Sequence, residues 1–240
     1  MRLVRWLAWL VGFLFLVGTV LQLVDFFNLY KTPPDVPGSL NMVDFRLAIQ
    51  DYRVAIWPIF LLSNLAPGIG FMAVTALGLA LAGQVARDQS HRVGIAAGLG
   101  MAGMFGAVAQ VLIIGAAQPT IDTPYCDCGF KETEIVSQIW AQQLVESASR
   151  WLTNAALALG AIGVAAAGTA FQHRMPASWN LFSWLTALGM LAAVAIPFLQ
   201  INPDLDFWVF VAVAGVIVPI WAIWLGASLR TGDELVAEGA

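Results

Sequence analysis

The sequence predicts an all-α polytopic membrane protein, a transmembrane helix bundle of about six spans, and three observations predict it. Hydrophobic residues make up 60% of the 240-residue chain and charged residues only 11%, whereas an ordinary soluble domain is about one quarter charged. Apolar runs longer than about eighteen residues recur with almost no charge, each long enough to cross a hydrocarbon core of roughly 30 Å as a helix. Those runs, such as Trp151 to Phe171, are continuous rather than alternating. That excludes a β-barrel, and lipid cannot satisfy an open strand edge.

The spans are expected at Trp6 to Val24, Ile56 to Ala82, Val93 to Ala116, Leu144 to Ala170, Leu181 to Gln200 and Phe207 to Leu229. Residues 1–240 therefore read as a single integral membrane domain, and an even number of spans puts both termini on one side. Arg2, Arg5, Arg87, Arg92, Arg174 and Arg230 fall on that side in short segments. Lys31, Arg46, Arg53 and Lys131 share the other side with more carboxylates than cations. The positive-inside rule then predicts cytoplasmic termini in a cell membrane of the bacterial inner-membrane type. With a net charge of -4 and no polybasic tract, nucleic acid is not an expected partner.

The first span follows an "MRLVR" start, and no A-x-A-like cleavage site comes after it, so it reads as a retained signal anchor. Residues 25–55 form an outward loop. Its "LYKTPPDVPGS" stretch is extended or turning, because proline lacks the amide donor and fixes φ. After Ser39, a plausible cap, Val43, Leu47 and Val54 recur at helical spacing and predict an interfacial helix.

In the second span, "WPIFLLSNLAPGIGF", Pro58 and Pro67 remove backbone donors, and Ser63 and Asn64 are placed to cap the freed carbonyls. A kink at Pro67 is expected. The third span carries "GLGMAGMFG" at 98–106, small residues that let helix backbones approach closely. Residues 117–143 form a second outward loop, contributing with the first to a small outward-facing cap. This loop leads into a long helix: Val136, Trp140, Leu144 and Trp151 keep one stripe. A helix from Thr133 to Phe171 would measure about 58 Å, so part of it stands outside the membrane.

A faint internal repeat relates "ALGLALAGQVA" at 76–86 to "AIGVAAAGTAF" at 161–171, and "GMFGAVA" at 103–109 to "GMLAAVA" at 189–195. It predicts a duplicated parallel helical hairpin. Tryptophans such as Trp6, Trp57, Trp140, Trp179 and Trp221 lie near span ends, as an aromatic belt does.

Four groups of residues carry the functional readings. Cys126 and Cys128, the only cysteines, face an oxidising compartment under this topology, where nearby thiols tend to pair. A structural disulfide, a thiol-redox couple, a metal and free thiols are all open to them. A metal is disfavoured because His91 and His173 fall on the opposite side of the membrane, and Asp122, Asp127, Glu132 and Glu134 are hard donors beside soft thiolates. Glu146 and Arg150, four apart with the acid first, suit an interfacial ion pair on one helical face. Asn64, Pro67, Gln110 and Asn154 mark a kink or a cavity inside the spans. The Gly and Ala faces could dock another membrane subunit or an apolar ligand.

No P-loop, dinucleotide fingerprint, zinc-protease motif or nucleophile elbow occurs, and nothing names a cofactor. The reading is a non-catalytic accessory or scaffold subunit, or a binder of an apolar small molecule, with the lipid bilayer as its solvent. Two alternatives stand beside it: a thiol oxidoreductase passing electrons from the CxC pair to a quinone, and a transporter with its path beside the kinked second span.

Overall fold

The computed structural model describes residues 1–32, 48, 51–85, 89–122, 132–199 and 203–229. Among the described residues, six spans are long and apolar enough to cross a membrane: Arg2–Phe26, Trp57–Ala82, Gln89–Ala117, Ile139–Ala170, Ala177–Leu199 and Leu205–Ser228. The elements that carry them are α1 (Arg2–Phe26), α2 (Trp57–Ala82), α3 (Gln89–Asp122), α4 (Glu132–Ala170) and α5 (Ala177–Leu199), then α6 (Pro203–Ala212), a π-helical stretch (Val213–Ile217) and α7 (Val218–Ser228). The expected bundle is therefore the observed one. At 39 residues, α4 is the long helix the sequence implied, about 58 Å from end to end.

The spans close a ring in chain order. Each packs on its neighbours in sequence, and α1 packs back on the π stretch and α7. Among the described residues, no extensive helix–helix contact crosses the ring. Consecutive spans run antiparallel, so one rim of the ring holds Met1, Leu229 and the helix ends at Ala82, Gln89, Ala170 and Ala177. The other rim holds the helix ends at Phe26, Trp57, Asp122, Glu132, Leu199 and Pro203. We call these the terminal rim and the long-loop rim.

Small residues set the helix spacing. A Cβ built on Gly98 of α3 would lie 2.6 Å from the Gly163 Cα of α4, so two backbones touch where no side chain fits. Leu99 is gripped from both flanks: a Cβ on Gly78 of α2 would meet its Cβ at 2.7 Å, and one on Gly163 would meet its backbone N at 2.6 Å. Gly78 and Gly163 are the matched glycines of the sequence repeat.

Prolines bend the rules locally in three ways. Pro58 sits in the first turn of α2, where its missing donor costs nothing. Pro67 is buried in the interior of α2, and Gly18 of α1 makes room for its ring, since a Cβ there would lie 2.7 Å from Pro67 Cδ. In the last span the helix widens to π geometry over Val213–Ile217, immediately before Pro219. The ring of Pro219 would collide with the Gly215 carbonyl of a regular α-helix and cannot donate to it, which gives the widening its cause.

The aromatic belt needs one correction. Trp6, Trp140 and Trp151 are exposed, but Trp179 and Trp221 are core residues, 0% and 2% exposed. Their rings stack at 6.0 Å, and Trp221 Nε1 donates to Ser183 Oγ at 2.9 Å. A tryptophan close to a span end still turns inward when the helix face it occupies does.

Candidate functional site

The ring encloses a void. All six spans line it, and its volume is about 70 Å³. Its terminal half is closed by Val11, Leu77, Leu99, Val164 and Trp221, each no more than 3% exposed. Its polar lining residues, Thr19, Gln22, Gln110 and Thr153, all belong to the halves of the membrane spans nearer the long-loop rim. The void is therefore apolar along most of its length and polar at one end.

Helix pairing fixes that polar level. Ser149 Oγ of α4 donates to the Ala109 carbonyl of α3 at 3.1 Å, which sets Gln110 beside the α4 turn holding Thr153. Gly68, next to Pro67, leaves room for the Gln110 stem; a Cβ there would lie 3.3 Å from Gln110 Cβ. Thr153 Oγ1 is satisfied locally by the Ser149 carbonyl at 3.0 Å. Gln110 is different: it is 8% exposed, and its Oε1 is buried without a hydrogen-bond partner. A buried amide oxygen left unpaired costs about 1 to 3 kcal/mol.

Of the four residues the sequence marked for a kink or cavity, the structure brings Pro67 and Gln110 to the void wall. Asn64 and Asn154 are not among the lining residues. Asn64 is buried one turn away, its Nδ2 donating to the Phe60 carbonyl at 2.7 Å, and Ser63 Oγ donates to the same carbonyl at 2.9 Å. The two side chains thus bond the Phe60 carbonyl rather than the Ser63 carbonyl that Pro67 frees, because short polar side chains in a helix reach back three or four residues. Asn154 is half-buried on α4.

A second polar group sits at the long-loop rim. Residues 51–55 form a helical turn ahead of α2, and two adjacent side chains of that turn reach helices on opposite sides of the ring. Tyr52 Oη lies 2.9 Å from Asp25 Oδ1 at the end of α1 and 3.0 Å from the Lys31 carbonyl, so its single proton is shared. Arg53 Nη1 donates to Glu146 Oε1 of α4 at 2.8 Å, and its guanidinium lies 5.8 Å from the Phe60 ring centre. Burial, then the hydrogen bond to Asp25 and the charge of Asp25, push the Tyr52 phenol up to about 12.

The expected pair of Glu146 with Arg150 is therefore corrected. Glu146 takes its cation from Arg53, while Arg150 points to the exposed side of α4. Helical spacing brings an i, i+4 pair within reach, but a partner from another element that offers partial burial and a 2.8 Å contact is favoured over it. Arg53 belongs to the interfacial helix that the sequence predicts in the outward connection, and nothing local signals a contact 93 residues away.

Cys126 and Cys128 lie outside the described residues, as do Ser39, Val43, Leu47, Asp127 and Lys131. His91 in the first turn of α3 and His173 in the turn after α4 both sit at the terminal rim. No protein family matches the chain, and no curated protein or solved structure is similar to it.

Proposed function

We propose that this integral membrane protein is a non-catalytic binder that holds an apolar small molecule in the void at the centre of its helix ring. The observation that carries the reading is the void itself, walled by all six spans. Mostly apolar walls with a few placed polar groups are the character of small-ligand sites, and at about 70 Å³ the void suits a small molecule or the buried part of a larger one. Among the described residues, no ionisable side chain lines it, so binding rests on dispersion contacts and a small number of neutral hydrogen bonds. The turn at 51–55, tied to α1 and α4, bridges the rim nearer the polar end.

In this reading both termini face the cytoplasm, and Cys126 and Cys128 staple the outward loop. Partner subunits would meet the exposed apolar faces of the ring.

The test is to purify the protein from native lipid in mild detergent and identify co-purifying small molecules by mass spectrometry, alongside an Ala156→Leu variant. Ala156 lines the void and is 1% exposed, so the added isobutyl group enters the space a ligand would take. A molecule retained by the parent protein and lost from the variant supports the reading. Identical small-molecule content in both sinks it.

A transport path is the second reading, favoured by one observation: two helix irregularities, Pro67 and the π stretch, border the void. π-bulges and proline positions are where helices bend most readily. Transmembrane flux of the co-purified molecule in proteoliposomes separates carriage from static binding.

A further inference from the structure

We infer that the occupant of the central void is a lipophile with a hydroxyl head, an alcohol or phenol, and that Gln110 is the residue that selects it. This rests on the binding reading above and names the class of molecule that the site takes.

Three observations carry the inference. Gln110 lines the void at its polar end. Its Oε1 is buried and unpartnered, and the residue is only 8% exposed. The stem of Gln110 packs on the backbone of α2 at Gly68, where a Cβ would lie 3.3 Å from Gln110 Cβ. Buried polar groups in folded proteins almost always have a partner, and an orphan calls for a missing one.

A hydroxyl fits this position better than other heads. It donates to a carbonyl oxygen and accepts from an amide N–H, so it satisfies the glutamine whichever way the amide is turned. A charged head would be stranded, since no ionisable side chain lines the wall. The rest of the molecule meets Phe71, Val74, Phe210, Ala214 and Val218, lining residues that keep partial exposure and offer an apolar wall to an alkyl or ring body. Water alone is a poorer tenant, because it wants two to four polar partners and the wall supplies few.

The experiment uses two photoreactive probes of equal chain length, a diazirine-bearing fatty alcohol and its methyl ether, on the purified full-length protein in detergent. Labelling is read by intact mass and by peptide mapping. The parent protein is expected to label about 5- to 10-fold more with the alcohol, the ratio a buried neutral hydrogen bond supports. Gln110→Leu should drop alcohol labelling to the level of the ether and leave ether labelling unchanged. Because each variant is compared with both probes, partition into the micelle cancels.

Gln110→Met serves as a second, similarly shaped variant should the leucine protein fold poorly. Equal labelling of the parent by both probes overturns the hydroxyl assignment while leaving apolar binding intact. An alcohol preference that survives both substitutions overturns the role of Gln110. If neither probe labels the parent above Ala156→Leu, the binding reading itself falls and takes this inference with it.

Discussion

Arg53 Nη1 and Glu146 Oε1 meet at 2.8 Å across 93 residues of sequence, joining the turn ahead of α2 to the long helix α4. With Tyr52 tied to Asp25 on the other side, the contact straps the long-loop rim of the ring. Both charged side chains are about three-quarters buried, so the pair is shielded from full screening yet not stranded in hydrocarbon. A double-mutant cycle of Arg53→Met with Glu146→Gln is expected to give a coupling of about 1 kcal/mol. Thermal unfolding in detergent measures it. A coupling indistinguishable from zero would show that the strap holds nothing.

Alkaline pH probes the other half of the strap. The Tyr52 phenol is raised from its ordinary value of 10.0 to about 12, so the folded protein keeps its proton after the unfolded chain has lost it. Its contribution is fully present below pH 10.0 and declines as pH rises towards about 12. Ultraviolet difference absorbance should show one late-titrating tyrosine, absent in Tyr52→Phe. A parent and variant with identical alkaline titrations would contradict the placement of Asp25 beside the ring.

Two glycines two residues apart in α3 should respond with opposite sign. Gly98→Ala drives a methyl into the Gly163 backbone, which cannot yield, whereas around Gly100 a Cβ meets nothing within 4 Å. Gly98→Ala is expected to destabilise by about 1 to 3 kcal/mol through overpacking. Gly100→Ala should stabilise by about 0.5 to 1 kcal/mol through helix propensity. Thermal midpoints that move in the same direction for both would refute the close α3–α4 approach.

The end of α1 is closed by Asn28 at φ 55. The Leu29 N–H bonds the Val24 carbonyl at 3.0 Å and the Asn28 N–H bonds the Asp25 carbonyl at 2.9 Å, the double bond pattern of a Schellman cap. Asn28→Gly should be neutral or mildly stabilising, and Asn28→Val should cost about 1 kcal/mol or more, since a β-branched residue resists positive φ. Equal stability of the two variants by thermal unfolding would argue against the left-handed cap.

Sidedness has its own test. Cys126 and Cys128 are expected outside the cell, so after reduction an impermeant thiol reagent should label them in intact cells. Labelling only after the membrane is opened would reverse the topology and the disulfide expectation with it.

How much was legible from residues alone follows from what each signal depends on. Span number and extent, the long α4 and the even topology came through because hydropathy over a window of about eighteen residues is a local property. Gln110 and Pro67 were marked because polar and helix-breaking residues in an apolar background are rare and costly. Nothing local distinguished Gln110 from Asn154, or Trp221 from Trp151, since which face turns inward depends on neighbouring helices.

The amino-acid order by itself determined that this chain lives in lipid as six helices, because the cost of unpaired backbone in hydrocarbon leaves no other form. Tertiary structure decided that the helices close into a ring around a void, that the matched glycines grip Leu99, and that Glu146 belongs to Arg53. Those outcomes depend on how close two backbones can approach and on contacts between elements far apart along the chain, distances that no window of sequence contains.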